Sequence, residues 1–104
     1  VVNDFGGGYK ATQHLIEQGA KKIAHIGGPL NLKIYDNRQK GYCKALTDAG
    51  LEINNSLILN NSLTREVGSR AVQKLMEGKT RPDAIFCAND TTALSAIYCK
   101  NNKQ

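Results

Sequence analysis

The sequence predicts an α/β fold, in which a parallel sheet carries helices on both faces as three layers, in the order α-β-α-β-α-β-α. Apolar residues switch repeatedly between helical spacing and short continuous runs. Those runs, Ile23–Ile26, Leu57–Leu59 and Ala84–Cys87, lack polar alternation, as strands do when helices bury both faces. The chain has 104 residues, 40% hydrophobic and 22% charged, enough for one compact core without disulfide or metal staples.

Each element has its own signal. Gly8, Ala11, Thr12, Leu15 and Ile16 lie at helical spacing, with Gly19 as a left-handed stop. Ile23–Ile26 is the first strand and runs into a loop at Gly27-Gly28-Pro29. Arg38 is expected to open the second helix, whose apolar face is Gly41, Tyr42, Ala45, Leu46 and Ala49 and whose end is Gly50. Leu57–Leu59 is the second strand, ended by Asn60-Asn61-Ser62. Val67, Ala71, Val72, Leu75 and Met76 form a third helix, capped by Thr64 and stopped by Gly78. Pro82 precedes the third strand, Ala84–Cys87, and from Thr91 the residues Ala93, Leu94, Ile97 and Tyr98 read as a fourth helix. Three strands are few for such a sheet, and both ends look cut, so the chain is expected to be one subdomain with neighbouring strands missing.

Composition and motifs exclude much. The longest apolar runs fall far short of the ~20 residues that cross a bilayer, and Val1–Tyr9, without a basic start followed by an apolar stretch, is not expected to be a secretory leader. Cys43, Cys87 and Cys99 give no C-x-x-C pair and no regular disulfide framework, which suits a reducing cytoplasm and core or near-core positions. The net charge of +5 comes from 14 Lys and Arg against 9 Asp and Glu, but the basic residues are scattered and lack interleaved aromatics. A nucleic-acid footprint would be a stripe or patch. Gly6-Gly7-Gly8 lacks the spacing of a phosphate loop and reads as a hinge or N-terminal turn. No nucleophile elbow surrounds a serine, and the two histidines offer no metal-ligand spacing: His25 reads as a satisfied strand histidine and His14 as a boundary residue. No enzyme, metal or cofactor is therefore expected.

Open α/β sheets bind ligands beyond the carboxyl ends of their strands. There the sequence places Gly27-Gly28-Pro29 and Arg38, then Asn60, Asn61 and Ser62, then Asn89 and Asp90. Arginine offers five fixed donors and asparagine both donor and acceptor, a set suited to a ligand rich in hydroxyls or carbonyls. Two plainer readings stand beside this: an Arg38–Asp36 ion pair, and N-capping of the last helix by Asn89-Asp90.

Several stretches together resemble the effector-binding domain of LacI/GalR-family transcriptional regulators. They are Gly7-Gly8-Tyr9 through Gly19, Lys22-Ile23-Ala24-His25-Ile26-Gly27-Gly28-Pro29-Leu30, Arg38-x-x-Gly41-Tyr42 with Ala49-Gly50-Leu51, and Pro82-Asp83-Ala84-Ile85-Phe86-Cys87-Ala88-Asn89-Asp90. The resemblance covers nearly the whole chain in one register. It implies a periplasmic-binding-protein-like fold of two lobes with a ligand cleft between them, of which residues 1–104 are the C-terminal-side lobe, a fragment without the DNA-binding headpiece. It further implies a cytoplasmic repressor that senses a sugar such as ribose, or a nucleobase, binds operator DNA through an N-terminal helix-turn-helix, and dimerises away from any membrane. Carried across by position, Arg38 resembles the arginine that bonds the effector and Asn89 the asparagine that bonds sugar hydroxyls. Asp90 would orient the final helix, and Asn3 and Asp4 would be hinge residues. Leu63 stands where the family often has an aromatic that stacks on the ligand. A transport-type sugar-binding lobe is the alternative within the same fold.

Overall fold

The computed structural model describes residues 3–60, 65–78, 81–89 and 94–98. Helix α1 (Asp4–Glu17) begins earlier than its apolar stripe suggests. Asn3 sets that start, its Oδ1 accepting the Gly6 amide hydrogen at 2.9 Å. Gly6, Gly7 and Gly8 therefore lie inside the helix instead of forming a turn before it. The end follows expectation: Gly19 has φ 107°, its amide bonds the Ile16 carbonyl, and the Ala20 amide bonds the Leu15 carbonyl. This is a Schellman close, and Leu15 and Ala20 both enter the core as such closes favour.

Strand β1 (Ile23–Ile26) lies where the sequence places it. Helix α2 (Lys33–Asp48) starts five residues before Arg38, which therefore does not open the helix but sits in its second turn. Asp36 in the first turn complements the helix dipole. At the other end Gly50, φ 74°, and Leu51 repeat the Schellman pattern onto Thr47 and Leu46. The second predicted strand is shortened: Asn55–Leu57 is a 3₁₀ turn, capped by Asn54, and only Ile58–Leu59 forms β2. Helix α3 (Arg65–Glu77) and strand β3 (Ala84–Cys87) follow, and the cap expected at Thr64 lies outside the described residues.

The last element differs from expectation. Ser95–Tyr98, predicted as part of a fourth helix, is strand β4, antiparallel to β3 with Ile85 opposite Ile97 and Phe86 opposite Ala96. Short apolar runs cannot be assigned by periodicity alone, and isoleucine and tyrosine favour strands. The edge of β3 decides the matter, because its unpaired backbone groups are satisfied by a neighbouring strand. Among the described residues the sheet therefore has four strands in the order β2-β1-β3-β4, parallel except for β4.

Helices cover both faces. Ile23, Ala84 and Phe86 pack with Leu15 of α1 and Tyr42 and Leu46 of α2. The alternate residues Ala24, Ile26 and Ile85 pack with Leu57 and with Val72 and Leu75 of α3. Helices α1 and α2 approach unusually closely. A methyl group on Gly41 would collide with the Phe5 carbonyl oxygen and come within 2.7 Å of the Tyr9 nitrogen, and one on Gly8 would strike the Arg38 carbonyl. Glycine at both positions is what lets the backbones touch. A hydrogen bond of 2.7 Å from the Tyr9 hydroxyl to Asp48 ties the middle of α1 to the end of α2; it lowers the Asp48 pKa and raises that of Tyr9. Cys43 packs against the first cluster and Cys87 against the second, both as half-buried thiols.

Candidate functional site

In this topology β1 connects to β2 on one side, while α3 carries the chain back across to β3 on the other. The crevice beyond the carboxyl ends of β1 and β3 is the switch point where such sheets bind ligands. Four chain segments meet there: the start of α1, Gly27-Gly28 after β1, the first turns of α2, and Ala88-Asn89 after β3.

Arg38 is the centre of this meeting. It is 4% exposed. Its Nη1 donates to the Ala88 carbonyl at 3.0 Å, and its Nε stands 3.4 Å from Asp4 Oδ1. The anticipated partner Asp36 instead pairs with Lys40 at 3.0 Å, one turn along an exposed helix face. The reason is geometric: Arg38 lies on the inner face of α2 with Tyr35, Tyr42 and Leu46, whereas Asp36 points outward. The structure thus brings together Arg38, Asp4 and the backbone that carries Asn89. Asn3, placed with Asp4 by the sequence, caps α1. Asp90 and Leu63 lie outside the described residues.

Three features of the site escaped sequence reasoning. Tyr35 is buried and its hydroxyl donates to the Asn89 carbonyl at 3.4 Å, so α2 holds the β3 exit at two points. Gly28 gives the Tyr35 ring its place, since a Cβ there would lie 2.6 Å from ring carbons. Gly27 does the same for His25, whose Nε2 would lie 2.7 Å from a Cβ. Two glycines directly after a buried strand were the available signal, because close approach is one of the few reasons to place them there.

His25 is fully buried, stacked on Tyr42 with ring centroids 4.9 Å apart and tilted against Phe86 at 5.2 Å. It is not the satisfied histidine expected: among the described residues neither ring nitrogen has a hydrogen-bond partner. Burial, reinforced by the Arg38 charge, lowers its pKa to about 4, so the ring is neutral at physiological pH. Burial likewise raises the Tyr42 pKa, and the Tyr42 hydroxyl donates to the Ile23 carbonyl. Phe5 in the first turn of α1, and Leu30 and Leu32 in the segment between β1 and α2, are large apolar side chains left exposed.

Comparison with known proteins agrees with this fold. Residues 1–104 match the family model described as periplasmic binding proteins and sugar binding domain of LacI family. The chain is 42% identical over 105 residues to the HTH-type transcriptional repressor PurR of Haemophilus influenzae strain PittEE, covering 99% of this chain and 31% of that protein. Among solved structures, a regulatory protein of LacI family from Chloroflexus aggregans superposes with a TM-score of 0.80 at 32% identity, over 86% of this chain and 32% of that one. The transcriptional regulator CelR in complex with cellobiose gives 0.75 at 36% identity, over 83% and 26%. The chain thus spans about a third of the length of the curated repressor it matches. A match along its whole length, with the same α/β architecture, establishes that the chain belongs to the LacI family of periplasmic-binding-protein-like, sugar-binding domains.

Proposed function

We propose that this chain is one lobe of the effector-sensing domain of a bacterial transcriptional repressor. The observation that carries the reading is a buried arginine, Arg38, held by Asp4 and Ala88 at the switch point of the sheet. A buried guanidinium is costly unless partnered, and its placement where α/β sheets bind ligands supports a recognition role. The effector is a small polar molecule such as a sugar or a nucleobase, with D-ribose the first probe. Arg38 supplies donors, and Asn89, positioned through its own carbonyl by Tyr35, faces ligand hydroxyls. Asn3 and Asp4 form the hinge at the start of α1, and Leu63 and Asp90 complete the proposed ligand-binding set.

In the whole protein a second lobe closes over this crevice, and operator DNA is bound by an N-terminal helix-turn-helix outside this chain. The protein is a cytoplasmic homodimer and not an enzyme. The repressor identity of its relative and the cellobiose in CelR favour this over a transport lobe. An effector that binds the open and closed arrangements unequally shifts their populations and so the spacing of the DNA-reading parts. In the intact protein, Arg38→Ala should abolish the effector's influence on operator binding in a gel-shift titration while leaving effector-independent binding in place. An undiminished effector response would dismiss the site.

A further inference from the structure

We propose that Asp4 is the specificity-determining residue of this site, cancelling the charge of Arg38 so that the site accepts neutral polar ligands and rejects anions. The inference rests on the ligand-binding reading of Arg38. Two features of the crevice favour a negative charge at one place: the buried Arg38 guanidinium, and the positive end of the dipole of the fourteen-residue helix α1. The chain fills that place with its own carboxylate. Asp4 lies in the first turn of α1, its side chain only 16% exposed, with Oδ1 3.4 Å from Arg38 Nε.

The consequences are chemical. Arginine selects carboxylates and phosphates through parallel, bidentate hydrogen bonds. Here Nε faces Asp4 and Nη1 is committed to the Ala88 carbonyl. An incoming phosphate would have to displace the intramolecular carboxylate and then sit beside it as a like charge with little water to screen the repulsion. His25, close enough for Arg38 to affect its titration, is neutral and offers no compensating cation. The remaining ion pairs of α2, Asp36–Lys40 and Lys44–Asp48, are on its exposed side and internally balanced. The pair therefore presents a dipole with no net charge: Asp4 accepts from hydroxyl or N–H groups and the site rewards a ligand carrying both donors and acceptors. A neutral sugar or nucleobase fits, and its phosphorylated form does not.

The test uses the intact repressor and three probes: D-ribose, ribose 5-phosphate and inorganic phosphate, by thermal shift and calorimetry. Wild type should show no saturable binding of either phosphate probe, while Asp4→Asn, which keeps the shape and removes the charge, should gain phosphate binding of at least ~10-fold. Asp4→Glu should behave as wild type. Phosphate binding by wild type as tight as by Asp4→Asn would overturn the proposal, and this comparison holds even if no neutral effector is found. A wild type that binds ribose 5-phosphate in preference to ribose would overturn it without any variant. Failure of every neutral ligand, with the phosphate gain intact, would instead count against the sugar-or-nucleobase reading alone.

Discussion

Replacing His25 with leucine should remove most of the acid sensitivity of this fold between about pH 7.5 and 5. His25 is buried between Tyr42 and Phe86, and its pKa falls from 6.5 to about 4 through desolvation, with the Arg38 charge adding to it. The folded state holds the ring neutral, whereas the unfolded chain protonates it below about pH 6.5. The unfolded state thus binds more protons across this window, and stability falls as the pH falls. The contribution is fully present above about pH 6.5 and exhausted below about 4, a total of about 3 kcal/mol at ~1.36 kcal/mol per pH unit. By about pH 5 the loss is about 2 kcal/mol, before the carboxylates titrate appreciably. With no tryptophan in the chain, urea unfolding at several pH values is best followed by circular dichroism. Wild type should lose about 2 kcal/mol over the window. His25→Leu, which leaves no unpaired ring nitrogens in the core, should be at least as stable at neutral pH and nearly flat. Equal slopes for the two proteins, or a His25 resonance titrating near 6.5 in the folded state, would show that burial does not hold the ring neutral.

Two further substitutions probe the backbone. Gly41→Ala forces a methyl group into the α1 backbone, with no flexible side chain to yield, and should cost about 1–3 kcal/mol or more in urea unfolding. Because α1 carries Asp4, it should also loosen the Arg38 pair and weaken effector binding in calorimetry; wild-type stability would mean that the helices separate freely. Gly50→Ala meets no atom within 4 Å but keeps φ at 74°, so it should cost about 1–2 kcal/mol from conformation alone. Gly50→Asn should recover part of that, and no difference between the two would place the cost elsewhere.

The alternation of helices and strands was legible in the sequence, and so were the bounds of β1 and β3, because a strand buried on both faces has no polar alternation to confuse with a surface helix. Gly19 and Gly50 were legible as helix ends for a local reason: a left-handed residue suits glycine whatever surrounds it. The carboxyl-end crevice, with Arg38 and the Asn89 segment on it, follows from element order alone.

Contacts remote in sequence decided the rest. Spacing within α2 suggested Asp36 as the partner of Arg38, yet Arg38 faces inward and finds Asp4, thirty-four positions earlier (38 − 4), because glycines at 8 and 41 let the two helices touch. That neither His25 ring nitrogen has a partner among the described residues reflects the rings from α2 and β3 packed against it. Ser95–Tyr98 had a local pattern compatible with helix, and the open edge of β3 made it a strand. Local periodicity and turn chemistry were enough for the helical or extended state of most segments before Ser95, and for which end of the sheet carries polar groups. Which charges meet and which backbone edge is paired followed from the packed fold, since those energies depend on burial and on distance between segments far apart along the chain.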